Sequence, residues 1–581
     1  MPRKALFLAI GLLAFTGCAS LSQNEVETTR PASDEPSVDK VTPVASEPPP
    51  TESFRPEELY LLLVGEIAAQ RGQYDVTLGN YVEAAKQTRD PGVIRRALLI
   101  AESLNSESAL RTLTQTWIDV APDSQAAHRA SAIQSLRDGR LEDTLRHLEE
   151  IVRLGGDADF DSLAAMGSRL PMEQQQELLR LFEELQARYP DNPEIRYSHA
   201  LLQHITGQPQ KALDTLEPLL DQERDFQPAL VLYGELLHET GRTDKALRHL
   251  QTSSRRYPEN QQLGILYARM LVSENEFRAA QDEFSRLVER FPNNHGLRLS
   301  WALVALENDE LELARTQLRQ LAEQGQHSNQ ALYYLGQIAE QEGDTDRAIT
   351  LYEQVTGGSH YFTALSRAAQ LRADTGDSMS AVEHLRAIRQ ESPEDAASLW
   401  LIEVNLLQEE GLYDLALESA NQALAEHPGN QSLLYARAMI HERLGSIDQA
   451  EADLRAMIEK QPEDPTALNA LGYILTVNTD RLEEARQYIE EALAMDPDSP
   501  AILDSMGWVL YRQGDAEGAL DYLRRAYEIY PDPEIAAHYG EVLWSLGQES
   551  QARVVWRRAL DDDPDHELLL ETLDRLGVDD L

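Results

Sequence analysis

Apolar and small side chains recur along this chain with a period of about 34 residues. Five stretches, including 416–428 (ALESANQALAEHP) and 519–531 (ALDYLRRAYEIYP), begin with Ala and end with Pro twelve residues later. The leading Ala returns from Ala212 to Ala552 at intervals of 33 to 35 residues. Within each period the apolar positions follow helical spacing twice, and a glycine such as Gly514 often falls between the two helices. The pattern therefore predicts consecutive pairs of amphipathic helices.

Weaker copies of the pattern precede the regular ones, for example at residues 65–91 and 132–152. Counting them gives about fifteen helix pairs between Glu58 and His566, and residues 566–576 remain as a terminal helix. A helix–turn–helix period near 34 residues resembles the tetratricopeptide repeat. The resemblance implies an all-α fold, a superhelical solenoid of about fifteen helix pairs, in which each pair buries its apolar face only against its neighbours.

The first residues have the layout of a secretory signal. Two basic residues at positions 3 and 4 precede eleven apolar or small residues (5–15). This run is too short to span a bilayer comfortably, since about 20 apolar residues are needed. The sequence Phe-Thr-Gly then leads to Cys18, the only cysteine in the chain.

The four residues ending at Cys18 resemble the lipobox of bacterial lipoproteins, although Phe15 stands where that family usually has Leu. The resemblance implies that the signal is removed ahead of Cys18 and that its sulfur carries lipid. Ala19, rather than an acidic residue, follows the cysteine, which by the same resemblance implies the outer membrane, with the protein facing the periplasm. An ordinary cleaved signal and an uncleaved anchor remain as alternatives.

Changes in composition predict five segments. Residues 1–17 form the signal peptide, and residues 18–57, rich in Pro, Ser, Thr and Glu, form a disordered tether after the lipidated cysteine. Degenerate repeats occupy residues 58–192 and regular repeats residues 193–566. A capping helix and tail fill residues 567–581.

The charge of the chain excludes one class of function. Lys and Arg number 52 and Asp and Glu 99, which gives a net charge of −47. A nucleic-acid-binding protein needs a basic surface to contact phosphates, so this class is excluded. The acidic surface either keeps the protein soluble or favours basic partners, and the sequence leaves both interpretations open.

No catalytic chemistry is apparent in the sequence. It contains no H-E-x-x-H, no G-x-S-x-G, no Walker loop and no G-x-G-x-x-G motif. Repeats and tether account for nearly the whole chain, which leaves no room for a catalytic domain. We therefore expect a protein that is not an enzyme and has no metal site and no cofactor.

In tetratricopeptide proteins the concave groove is lined mainly by certain positions of the first helix of each pair. Transferred to the last four repeats of this chain, these positions give candidate protein-binding residues: Tyr435, Met439, Asp504, Trp508, Tyr511, Arg512, Glu541 and Trp544. Large aromatic side chains on such a surface are typical binding hot spots. The alternative is that Trp508 and Trp544 pack between neighbouring helices.

The sequence from residue 468 to residue 548, residues 65–91 and the lipobox together resemble the large tetratricopeptide outer-membrane lipoproteins of gamma-proteobacteria. That family includes the adaptor of a periplasmic carboxyl-terminal processing protease, which delivers peptidoglycan hydrolases for degradation. The resemblance implies a non-catalytic adaptor whose partners are a periplasmic protease and its protein substrates. Two other classes stay open: an assembly factor for an outer-membrane secretion, pilus or exopolysaccharide-export machine, and an enzyme with an unrecognised site.

Overall fold

The computed structural model describes residues 53–578, and within this range all regular elements are helices. The chain divides into two compact units, Met1–Ala158 and Asp159–Leu581. The predicted signal peptide, Cys18 and the tether up to residue 52 lie outside the described residues.

The N-terminal unit contains three helix pairs. They are formed by α1 (Pro56–Gln70), α2 (Tyr74–Thr88), α3 (Pro91–Ser103), α4 (Glu107–Val120), α5 (Gln125–Arg137) and α6 (Leu141–Arg153). Helix α1 begins two residues inside the segment predicted as tether. Its buried side chains pack mainly against α2, and a core that includes Tyr81, Ile94 and Leu113 joins the first two pairs.

The C-terminal unit contains twelve helix pairs and a final helix. Its first helices are α7 (Phe160–Ala165), α8 (Met172–Arg188), α9 (Pro193–Ile205), α10 (Pro209–Gln222), α11 (Gln227–Glu239), α12 (Thr243–Arg256), α13 (Gln261–Ser273), α14 (Phe277–Arg290), α15 (His295–Glu307), α16 (Leu311–Gln324), α17 (Ser328–Gln341) and α18 (Thr345–Glu353). They are followed by α19 (Tyr361–Asp374), α20 (Ser378–Glu391), α21 (Ala396–Glu409), α22 (Tyr413–Glu426), α23 (Gln431–Arg443), α24 (Ile447–Lys460), α25 (Pro465–Asn478), α26 (Leu482–Met495), α27 (Pro500–Arg512), α28 (Ala516–Ile529), α29 (Pro533–Ser545), α30 (Glu549–Asp562) and α31 (Glu567–Leu576). Short 3₁₀ turns span Met166–Arg169 and Pro393–Asp395.

The predicted all-α solenoid of about fifteen helix pairs is confirmed, because α1 to α30 form fifteen pairs and α31 follows them. We call the first helix of a pair helix A and the second helix B. Within each unit most helices pack against their neighbours in the chain, so helix B of one repeat also contacts helix A of the next, as α10 contacts α11. Helix α7 differs, because it packs mainly against α9. In the C-terminal unit, helix A of several repeats also contacts helix A of the following repeat, as α25 contacts α27.

Local sequence explains where these helices begin and end. Asn260, Asn294 and Asn430 each precede a helix A, and their side-chain oxygens accept a hydrogen bond from a backbone N–H of the first turn. Between helices A and B the backbone takes a positive φ, for example 91° at Gly514, which an L side chain adopts only with strain. Prolines after helix B, such as Pro531, prevent it from continuing.

A glycine in helix A allows helix B of the same repeat to pack closely. A Cβ atom added at Gly540 would lie 2.0 Å from Nε1 of Trp556, and one added at Gly507 would lie 2.5 Å from Cγ of Leu523. Trp556 is fully buried, so its ring has little freedom to move aside. The crossing of helices A and B therefore requires glycine at this position in these repeats.

We predict that Gly540→Ala lowers the free energy of unfolding by about 1–3 kcal/mol, the usual cost of overpacking a well-packed core. The new methyl group would overlap the indole of Trp556 and force helices α29 and α30 apart. Urea unfolding followed by circular dichroism measures the change.

Gly79→Ala is the matched control, because Gly79 lies inside α2 and nothing stands within 4 Å of an added Cβ. Here the same substitution should stabilise the protein by roughly 0.5–1 kcal/mol through helix propensity alone. Unchanged stability of Gly540→Ala would contradict the close packing described here.

Candidate protein-binding groove

The helices A of the last repeats approach one another closely enough for side chains to meet across more than one repeat. The hydroxyl of Tyr473 on α25 donates a hydrogen bond of 2.5 Å to Oε1 of Glu534, which lies two repeats further on at the start of α29. Arg443 at the end of α23 donates to Glu567 of α31 over 2.7 Å. On the helix A face of repeats twelve to fifteen, side chains of non-adjacent repeats therefore form hydrogen bonds with one another.

A buried acid–base pair connects α27 and α29. Nδ1 of His538 lies 2.9 Å and 3.1 Å from the two carboxylate oxygens of Asp504. The ring of Trp508 stacks on His538, with the ring centres 4.0 Å apart and the planes at 19°. Burial alone would lower the pKa of His538, but the negative charges of Asp504 and of other nearby carboxylates outweigh it, and the net pKa is raised.

A second polar group connects α27, α29 and α31. Arg575 donates two hydrogen bonds, of 2.8 Å and 2.6 Å, to the two carboxylate oxygens of Glu541. The hydroxyl of Tyr511 lies 3.4 Å from the same carboxylate. The hydrogen bonds to Glu541 raise the pKa of Arg575, so the guanidinium stays charged. The two-point geometry fixes the position of α31 against α29.

The other predicted groove residues are more accessible. Tyr435 and Met439 on α23 are half-buried and pack against the core of the last repeats. Trp544 is half-buried as well: its ring centre lies 5.7 Å from that of Trp556, and the guanidinium of Arg553 lies 5.1 Å from it. Arg512 is exposed at the end of α27.

The structure corrects the expected exposure of two residues. Asp504 and Glu541 are predicted on an open groove surface, but only 4% of the surface of each is exposed. The physical reason is the close approach of successive helices A, which brings His538 and Arg575 against them. Trp508 is 9% exposed and stacks on His538 of α29, which agrees with the alternative that it packs between neighbouring helices. Tyr435, Met439, Tyr511, Arg512 and Trp544 keep accessible surface, and their role in binding stays a prediction.

Sequence reasoning missed Tyr473, His538 and Arg575. The sequence does contain a signal for Tyr473, which directly follows Gly472 just as Trp508 directly follows Gly507. Tyr473 and Trp508 therefore occupy the same position of helix A in successive repeats. No such signal singles out His538 or Arg575, since their partners lie on a different repeat.

A separate polar cavity of about 500 Å³ lies between α20, α21 and α22. Its wall includes Arg386 and Arg389, which both donate to the fully buried Glu403. The guanidinium of Arg389 lies 3.2 Å from the ring centre of Trp400. Because the buried carboxylate already neutralises one of these charges and Glu426 also lines the wall, we interpret the cluster as structural.

Comparison with known proteins places the repeats in a family. Models described as tetratricopeptide repeat match residues 203–270, 299–359, 366–431, 435–500, 477–534 and 505–567. The TPR repeat-containing protein PA4667 of Pseudomonas aeruginosa is 41% identical over 538 residues, which cover 93% of this chain and 90% of that protein. The chain belongs to the tetratricopeptide-repeat family.

Other similarities of this tetratricopeptide-repeat protein are more limited. Bacteriophage adsorption protein A of Escherichia coli K12 is 30% identical over 114 residues, which cover 20% of this chain and 11% of that protein. Among solved structures, a tetratricopeptide repeat protein from Parabacteroides merdae covers 43% of this chain and 98% of its own, with 15% identity and a TM-score of 0.35. The Cut9–Hcn1 hetero-tetramer covers 89% and 96%, with 15% identity and a TM-score of 0.32.

The pair formed by Asp504 and His538 should make stability depend on pH. Because the pKa of His538 is raised in the folded protein, the pair contributes its full stability below the unfolded pKa of about 6.5. This contribution is lost as the pH rises through the folded pKa. We predict that the part of the stability that depends on Asp504 declines as the pH rises above about 6.5.

Asp504→Asn removes the negative charge while keeping the shape, so its urea midpoint should lie below that of the wild type at pH 6, and the gap should close as the pH rises. The difference between the two proteins isolates the pair from all other titrating groups. Parallel pH profiles for the wild type and the variant would show that the pair contributes no such dependence.

Proposed function

We propose that this protein is a lipid-anchored adaptor of the outer membrane. It binds partner proteins along the helix A face of its last repeats and brings a periplasmic carboxyl-terminal processing protease together with cell-wall hydrolases. The observation that carries the proposal is the repeat array itself: helix pairs fill residues 56–562, and a relative of similar length is 41% identical. Tetratricopeptide arrays present extended surfaces that bind proteins.

Three accessible side chains support the location of the binding surface. Tyr435, Met439 and Trp544 are half-buried on the helices A of repeats twelve and fifteen. Aromatic side chains that keep accessible surface within a packed setting lose little conformational entropy on binding and are frequent hot spots. Arg512 adds an exposed positive charge to the same region of a strongly acidic unit.

The anchor rests on the sequence around Cys18, which lies outside the described residues. Among residues 53–578, no helix is both long and apolar enough to cross a membrane. A lipid on Cys18 would supply the attachment, since each buried methylene contributes about 0.8 kcal/mol and two or more chains are needed for stable anchoring.

We predict that Cys18→Ser moves the protein from the membrane fraction to the soluble fraction or leaves it held only by an uncleaved signal. Mass spectrometry of the mature N-terminus distinguishes these results, because the wild-type protein should begin at Cys18 with acyl chains attached. A wild-type protein that starts elsewhere, without lipid, would overturn the anchor.

The adaptor role is tested by co-purification with the carboxyl-terminal processing protease from the same cells. We predict that Trp544→Ala weakens capture by about thirtyfold, because truncating an interface aromatic often costs about 2 kcal/mol of binding free energy. The melting temperature should fall much less than in a variant that truncates a fully buried tryptophan, since Trp544 is only half-buried.

Trp556→Ala is the control, because Trp556 is fully buried in α30 and cannot contact a partner. It should lose about 3–5 kcal/mol of stability. Wild-type capture by Trp544→Ala would remove this residue from the binding surface, and capture of a secretin or export complex in place of the protease would favour an assembly factor.

A further inference from the structure

Helix α1 exposes an apolar face along its whole length. One side of the helix carries Leu59, Leu63 and Ile67, which are four residues apart. Tyr60 lies on the same side, three residues before Leu63. Tyr60 is 67% exposed, Leu63 53% and Ile67 48%. A shallow cavity of about 380 Å³ adjoins this face between Tyr60 and the end of α2.

Three of these four positions are buried in later repeats, whereas the fourth, that of Leu59, corresponds in α11 to the exposed Pro228. Tyr60 and Leu63 lie five and two residues before Gly65, and Ile67 lies two residues after it. The residues at the same distances from Gly234 in α11 are Ala229, Leu232 and Leu236. These three residues are 0%, 3% and 0% exposed. The equivalence is structural, since an added Cβ at either glycine would contact helix B of its own repeat.

The difference has a simple cause. Helix B of the preceding repeat, α10, packs against α11, whereas no helix precedes α1 among residues 53–578. The exposed face of α1 is therefore a stacking surface without a partner. A terminal repeat normally has a polar outer face, because an exposed stacking surface favours association.

The chain itself offers no obvious cover for this face. Residues 19–52 contain six prolines and no aromatic residue, and no amphipathic helical pattern is present in their sequence. Among residues 53–578 no helix covers this face, so we consider a second molecule as the source of a covering helix.

The face of α1 is complementary to itself. If two copies of α1 pack antiparallel about Leu63, Leu59 of each copy lies opposite Ile67 of the other, and the two Leu63 side chains meet on the two-fold axis. Such an arrangement buries both apolar faces at once and closes the assembly at two copies. The antiparallel helix dipoles also favour it.

The distribution of charge favours contact through this unit. Residues 53–158 contain 12 Lys and Arg against 16 Asp and Glu, a net charge of −4. Residues 159–581 contain 36 against 76, a net charge of −40. Two copies therefore approach each other through their N-terminal units with little repulsion, whereas contact through the C-terminal units would bring strongly negative surfaces together.

We propose that the apolar face of α1 (Leu59, Tyr60, Leu63 and Ile67) is a dimerisation surface, on which a second copy of this chain packs with its own α1 antiparallel. The partner is the same face of an identical molecule. This inference goes beyond the adaptor function and does not depend on the protease or on the lipid.

The first test is cysteine cross-linking of the full chain in the cells that produce it. Leu63→Cys should form a disulfide-linked dimer on mild oxidation, because residue 63 lies beside its own copy at the two-fold axis. Leu99→Cys, on the exposed side of α3 in the same unit, is the matched control and should stay monomeric. The wild-type protein measures any background from Cys18.

The second test is sedimentation of the purified full chain in detergent. The wild-type protein should show a dimer that dissociates on dilution, and Leu63→Glu should weaken it by a factor of roughly ten or more, equivalent to about 1.4 kcal/mol. Because Leu63 is exposed in a single chain, the melting curve of dilute protein should not change. Tyr60→Ala provides a second variant that introduces no charge.

A wild-type protein that stays monomeric at all concentrations, together with no dimer of Leu63→Cys, would overturn the proposal. Cross-linking of Leu63→Cys to a different protein would overturn it as well, since the face would then belong to another occupant.

Discussion

Within each unit the structure depends on one contact, the packing of helix B of one repeat against helix A of the next. A helix pair alone leaves an apolar face in water, and only the neighbouring pair covers it. In α11 this contact buries Leu232 and Leu236 almost completely. The chain contains a single cysteine, which lies outside the described residues, so the stability of the repeats rests on this packing and not on disulfide bonds. The sequence period of about 34 residues arises because every repeat supplies the same residues to that contact.

The same contact determines the character of the candidate groove. Stacking the pairs brings successive helices A together, so polar residues on them meet residues about one repeat further along the chain. Asp504 meets His538 and Glu541 meets Arg575, each 34 residues apart. Removing such charges from water is costly, and the cost is recovered only when geometry and hydrogen bonding are good. We infer that these pairs hold the register of the last repeats, while Tyr435 and Trp544 remain accessible for binding.

The fold could be predicted from the sequence because its main information is local and repeated. The leading alanines, the glycines opposite helix B and the terminal prolines each act within one repeat, and they recur often enough to identify the array. The exposure of Asp504 and Glu541 could not be predicted in this way. Their burial depends on how closely consecutive helices A approach and on which residue stands one repeat away, and neither quantity is encoded within a single repeat. The exposure of the apolar face of α1 could not be predicted either, because its residues match the repeat pattern of buried positions. Only the structure shows that no other described residue covers them.

The first and last described helices differ in whether their outer face is polar or apolar. At the C-terminal end, α31 buries Leu569 and Leu573 against the last pair and turns charged side chains such as Glu571 and Asp574 to the solvent. At the other end, α1 turns Tyr60 and Leu63 outward. Acidic residues are frequent along the repeats, so polar side chains could occupy the outer face at both ends. The apolar end is therefore a property of these particular positions, and it lies in the less acidic of the two units. An end that is both apolar and nearly neutral is suited to contact with another surface, whereas a capped and acidic end is suited to remain in water. This asymmetry separates an association surface at the start of the array from a partner-binding surface near its end.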